Sequence, residues 1–195
     1  MITKIDDLDF SKQYTYADYL TWHFDERVEL IRGWISRMSP APLVRHQVIS
    51  MDLSNQIYSY LRGKQCEVFA APFDVRLINK RKKVTDKSIS TVVQPDLSII
   101  CDPAKLDEKG CIGAPDWVIE ILSPGNTKKE MKEKFSLYEE NGVQEYWIVF
   151  PDYFQIQVFD LVDSKFVWRN TYLKEDQIPV GIFEGFEIDT NNLFA

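Results

Sequence analysis

The sequence predicts an α/β protein built as a mixed central sheet flanked by helices. Three observations carry that prediction. Two segments repeat apolar residues at helical spacing. Several short runs are β-branched or aromatic and bounded by turn residues. One helical segment lies between two largely apolar runs, the arrangement of a crossover connection. The 195 residues suffice for one domain over 1–195 and are few for two. Hydrophobic residues make up 45% and charged residues 27%, which excludes disordered and fibrous classes.

The elements follow in order. Thr15 with Asp18 forms a capping pair that opens a short helix over 15–23. VELIRGWISRM reads as a hairpin, 28–31 and 34–38, turning at Arg32-Gly33. After Pro40 and Pro42, helical spacing joins Val44, Val48 and Met51 with Ile49, Leu53, Ile57 and Leu61, and Gly63 ends the helix. Strands are expected over 67–70 and 73–78, then a polar, basic loop over 79–90. TVVQPDLSII reads as a central strand, interrupted or bent near Pro95. CDPAKLDEKGCIGAP reads as a polar connection, and WVIEIL as a buried strand closed by Ser123-Pro124-Gly125. A helix over 128–141 stops at Gly142. EYWIVF and the alternating FQIQVFDL are strands, and the last thirty residues hold a further strand and a closing segment.

No stretch approaches the roughly 18 apolar residues of a membrane span. The opening MITKIDDLDF carries early acids and no long apolar run, so neither a signal nor a transit peptide is expected and the cytoplasm is the default location. Cys66, Cys101 and Cys111 are odd in number and form no CxxC pair, which favours neither a disulfide framework nor a zinc site and leaves buried or incidental thiols. A net charge of −7 counts against a protein coated in basic charge. The positive residues are nevertheless clustered, at Lys80 to Lys83 and at Lys128, Lys129, Lys132 and Lys134.

Chemistry concentrates at a few positions. Glu120 is the only charge in WVIEIL. Burying a carboxylate costs several kcal/mol unless it is paired or ligates a metal, so either it is functional or it meets a lysine or solvent at the strand end. Asp96 lies in VVQPDLSII with Gln94 on the same face by alternation. Pro-Asp is also a common turn device, and it recurs at Asp116 and Asp152. Asp116 is about 13 Å from Glu120 along one strand, too far to share an ion, whereas Asp96 on a neighbouring strand can lie about 4.8 Å away. Two such carboxylates form a hard-oxygen site suited to Mg²⁺ or Mn²⁺. On the 128–141 helix, Met131, Phe135 and Tyr138 mark the apolar face, and Lys134 lies roughly 65° from its centre, toward the core side. There it either snorkels or counters the paired acids. Glu29, inside apolar VELI, is a further candidate for the same site. His46 has no neighbouring Ser or Cys nucleophile motif and reads as structural. Glycine-rich phosphate loops, GxSxG and HExxH are all missing from the sequence.

VELIRGWISRMSPAPLVRHQV, QPDLSIICD and PDWVIEILSPGNTKKEMKEKFSLYEENGVQEYWIVFP together resemble the Uma-two family of restriction-endonuclease-like proteins, over about residues 15–160. The resemblance implies the PD-(D/E)xK fold and metal-dependent hydrolysis of phosphodiesters. It places the motif acids at Asp96 and Glu120 and the early glutamate at Glu29. Leu122 stands where the usual lysine of (D/E)xK would be, and Lys134 takes its place on the following helix. Two departures are Glu130, where relatives often carry Asp, and Phe150, where they carry Asp before Pro.

The expected function is a Mg²⁺-dependent endodeoxyribonuclease in which Asp96 and Glu120 hold the metal, with Glu29 and a backbone carbonyl near Ile121 as further ligands. Lys134 would act on the water or the phosphate, and the Lys80–Lys83 loop would grip DNA phosphates. The alternative is a nucleic-acid-binding or regulatory module on the same fold. A homodimer is an expectation by analogy with nucleases that cut both strands.

Overall fold

The computed structural model describes residues 2–38, 43–78, 84–125 and 127–194. Pro40, Pro42 and the basic run Lys80, Arg81, Lys82 and Lys83 lie outside the described residues. The helices are α1 (Tyr16–Tyr19), α2 (Val44–Leu61) and α3 (Lys128–Asn141). The first seven strands are β1 (Val28–Ile31), β2 (Trp34–Arg37), β3 (Glu67–Ala70), β4 (Val75–Leu77), β5 (Thr91–Val93), β6 (Leu97–Ile100) and β7 (Leu106–Asp107). The other seven are β8 (Gly110–Ile112), β9 (Trp117–Ile121), β10 (Glu145–Phe150), β11 (Gln155–Val162), β12 (Lys165–Leu173), β13 (Gln177–Pro179) and β14 (Glu187–Asp189).

Two six-stranded sheets organise these strands, in the orders β2-β1-β5-β4-β8-β7 and β12-β11-β10-β9-β6-β3, and β13 pairs with β14. In the second sheet β9 and β10 run parallel, joined by α3, while β6 and β11 pair antiparallel on either side of them. Strand alternation divides the core. Leu97, Ile99, Trp117, Ile119 and Trp147 pack beneath Ile49, Leu53 and Ile57 of α2. Ile100, Val118, Tyr146 and Ile148 pack with Leu137 and Tyr138 of α3. Every residue of β9 is buried, Glu120 among them, because both faces of the sheet are covered.

The expected mixed sheet with flanking helices is therefore present, with local corrections. Residues 91–100 are interrupted at Pro95 rather than bent, and form two strands. Pro95 cannot donate to a ladder, and on either side of it β5 joins the first sheet and β6 the second. The 101–115 connection contains a 3₁₀ turn at Pro103–Lys105 and the strands β7 and β8, held by pairing to β4 that no local pattern announces. The first helix is one turn, with the Asp18 carboxylate accepting from Thr15 N and Oγ1. On α2, Val44, Val48 and Met51 face outward, and the buried stripe is His46, Ile49, Leu53, Ile57 and Leu61.

The reading of three incidental thiols is also corrected. Cys66 and Cys101 form a disulfide. Strands β3 and β6 pair with Glu67 opposite Ile100, so the residues one step beyond face each other. That proximity depends on a strand pairing across 35 residues, which cysteine spacing does not reveal. Cys111 is free and buried, and burial pushes its thiol up to about 12.

Candidate functional site

The antiparallel register of β6 and β9 sets Leu97 opposite Ile119. One residue further along, Asp96 stands opposite Glu120 at the end of the ladder. Asp96 is fixed at both oxygens. Oδ2 accepts from the Ile121 amide at 2.7 Å, and Oδ1 lies 3.1 Å from His46 Nε2. The other ring nitrogen, His46 Nδ1, is buried without a hydrogen-bond partner among the described residues. Burial alone would hold the imidazole down, but the Asp96 carboxylate outweighs it and the histidine is raised above its ordinary value.

Glu120 is 8% exposed. Burial is the main force on it and raises its carboxyl to about 7. The Lys134 ammonium opposes that rise, and the Asp96 and Glu29 charges add to it. Lys134 Nζ sits between two acids, 2.9 Å from Glu120 Oε1 and 3.0 Å from Glu29 Oε1. Burial disfavours its charge, yet the paired carboxylates hold it above the usual lysine range. Tyr138, one turn further along α3, donates its hydroxyl to Glu120 Oε1 at 2.6 Å.

Helix α3 presents Lys134 and Tyr138 reliably because both of its ends are fixed locally. Thr127 and Glu130 form a capping box, and Gly142 closes the helix in the left-handed conformation. The Asp-to-Glu departure at Glu130 is therefore a cap that still functions. Glu29 reaches the site from the other sheet, on β1, and its Oε1 accepts from the Gln94 amide at 2.8 Å. The Gln94 side chain receives both Arg27 Nε and Nη2 on its oxygen and gives its amide to Asp74. Residues 94–96 thus join the two sheets at the site.

Glu29, His46, Gln94, Asp96, Glu120 and Lys134 line one cleft open to solvent, with Arg27, Arg37 and Ser123 at its walls. Lys134 and Tyr138 both bond Glu120 Oε1, and Glu120 lines the cleft. Among the described residues no group of three or more His, Cys, Asp or Glu is arranged to hold a metal ion. The site offers two carboxylates and a strand-end carbonyl, a donor set that fits Mg²⁺, which keeps several waters and takes one or two carboxylates.

The structure brings together Asp96, Glu120, Lys134 and Glu29. It leaves Asp116 and Asp152 outside: the first accepts from the Cys101 amide, and the second lies 3.7 Å from Arg45. Sequence reasoning set His46 aside and took Tyr138 as packing alone. The signal for His46 was its place in line with Ile49, Leu53 and Ile57, a polar residue on a buried stripe. Tyr138 gave no signal, because an apolar helix face accepts a tyrosine whether or not its hydroxyl has a partner.

Two sheets meeting at a strand-end acid pair, with a lysine brought in by the crossover helix, define a restriction-endonuclease-like protein. A crystal structure of a putative nuclease of the DUF820 family from Anabaena variabilis has this fold, with a TM-score of 0.69 over 93% of this chain and 97% of that one, at 20% identity. The sequence profile of the Uma2 family, described as putative restriction endonuclease, matches residues 16–191, and the chain belongs to that family. An uncharacterized Synechocystis protein, slr1290, is 28% identical over 150 residues, 75% of this chain and 74% of the relative.

Proposed function

We propose that this nuclease-family protein is a metal-dependent endonuclease that hydrolyses DNA phosphodiester bonds. The observation that carries the reading is the convergence of Asp96, Glu120 and Lys134 on one open cleft. Asp96 and Glu120 would hold Mg²⁺ or Mn²⁺ beside the Ile121 carbonyl. A cation there supplies an acidified water and positive charge for the scissile phosphate.

The protein's own groups do the remaining work. The Ile121 amide and His46 hold the Asp96 carboxylate in one orientation. Tyr138 and Lys134 occupy Glu120 Oε1, which would leave Oε2 for the metal. Glu29 is the second anchor of Lys134 and keeps its ammonium at the cleft wall, where it can stabilise charge developing on phosphate oxygens. Arg27 and Arg37, on the cleft walls, would meet neighbouring phosphates.

The test is cleavage of supercoiled plasmid with Mg²⁺ or Mn²⁺. Wild type should cut, and Asp96→Asn and Glu120→Gln should each lose about 10²-fold or more, the scale of removing one preorganised electrostatic group. Wild type that binds metal and DNA yet never cuts would instead make the protein a binding or regulatory module.

A further inference from the structure

We propose that the outward face of α2 is where two copies of this chain meet, antiparallel across a two-fold axis. The proposal is independent of the chemistry in the cleft. One face of α2 is fully used by the core of its own chain, through His46, Ile49, Leu53 and Ile57. The opposite face of a surface helix ordinarily carries charge. Here it carries Val44, Val48, Met51, Asn55 and Tyr58, all exposed, with Val44 at 82% and Met51 at 70%. None of the five is charged, in a chain of net charge −7.

The spacing of this stripe is four, three, four and three residues. That is the seam of a helix that packs along another helix, and it includes one polar residue, Asn55, at a seam position, the device that limits register and partner number. The stripe is about 21 Å long at 1.5 Å per residue. A standard interface takes roughly 800 Å² per partner, more than one helix stripe provides. Exposed Leu43, Tyr153 and Phe154 extend the apolar surface at the N-terminal end of α2, where Arg45 stacks on the Phe154 ring at 4.5 Å.

Charge selects the occupant and the orientation. The charged residues of α2 are Arg45 and Asp52, one flanking position on the same side of the seam, separated by seven residues. In an antiparallel pairing that sets Val48 against Met51 of the partner subunit, Arg45 falls beside the partner's Asp52. The two-fold axis repeats the contact at the other end. In a parallel pairing Asp52 would face only Gln47 of the partner subunit. The surface is therefore complementary to itself, apolar along the seam and oppositely charged at two points along one flank, which is what an isologous interface requires.

Sedimentation velocity across the micromolar range tests this. Wild type should show a concentration-dependent dimer. Met51→Lys, at an exposed position, should leave the circular dichroism and urea midpoint unchanged while weakening dimerisation by about 10²-fold, because it buries like charges near the axis. Arg45→Glu and Asp52→Arg should each weaken the dimer, and the double exchange should restore it. A wild type that stays monomeric throughout, or a dimer indifferent to Met51→Lys, overturns the interface. A double exchange no better than the single ones overturns it as well, since antiparallel self-complementarity is its basis.

Discussion

Replacing Lys134 by methionine keeps most of the stem and removes the charge between Glu29 and Glu120. The sequence alone leaves the sign of the stability change open, because a lysine on an apolar face can be a cost. The structure decides it. Lys134 contacts two carboxylates at 2.9 and 3.0 Å, so the variant leaves buried acids without their cation. At pH 6 Glu120, whose carboxyl is raised to about 7 by burial, is already largely protonated. The loss is then mainly the charge-assisted bonds, about 2 kcal/mol. At pH 8 wild type ionises Glu120 against Lys134, whereas the variant must keep the proton or bury an unpaired anion. The variant's folded state then holds more protons than its unfolded chain, so its stability falls faster with rising pH, by up to about 1.4 kcal/mol per unit. The deficit should approach 3–5 kcal/mol at pH 8, the cost of breaking a buried pair. Urea denaturation of both proteins at pH 6 and pH 8 measures it. A deficit under about 0.5 kcal/mol, or one equal at the two pH values, would refute the role assigned to Lys134.

Other outcomes follow from the same geometry. In the plasmid assay Lys134→Ala should cut about 10²–10³-fold more slowly, with exposed Lys132→Ala near wild type; equal rates for the two would make Lys134 purely structural. Millimolar Mg²⁺ should raise the melting temperature of wild type and not of Asp96→Ala, and calorimetric affinity should weaken about tenfold per unit as pH falls below about 7, where Glu120 takes up its proton. A flat affinity between pH 6 and 8 would remove Glu120 from the metal site. Tyr138→Phe deletes the 2.6 Å bond to Glu120 and should cost about 1–2 kcal/mol and raise the Glu120 titration seen by carboxyl NMR. An unmoved titration would contradict that contact. Cys66→Ser should cost about 3–4 kcal/mol under oxidising conditions, from the 35-residue loop the disulfide closes, and nothing in excess reductant.

What the sequence disclosed was what local chemistry determines. Thr127, Glu130 and Gly142 are contiguous signals, and α3 spans the expected 128–141. The lone charge in WVIEIL marked Glu120 because a buried strand tolerates no idle carboxylate, and the wheel position of Lys134 pointed it at the core side. What escaped depends on pairings between distant segments. The Cys66–Cys101 bridge needs β3 beside β6, and the β7–β8 pair needs β4 as its template. The division of 91–100 between two sheets is invisible in a run that is apolar on both sides of Pro95. On α2, two apolar stripes share one helix, and periodicity alone does not say which one is inside, so His46 was separated from the site it touches.

That division at Pro95 has a kinetic consequence. The Gln94 amide closes on Glu29 of one sheet while Asp96, two residues later, closes on Ile121 of the other. A stretch of three residues is therefore clamped by both halves at once, and neither half can open without releasing the cleft. Hydrogen exchange at Gln94 and Ile121 should report the slowest, whole-molecule opening, and should slow in parallel at both amides when an ion binds. A protein caught with one sheet frayed would hold no working site, so exposure of a partly folded chain to DNA would leave that DNA uncut.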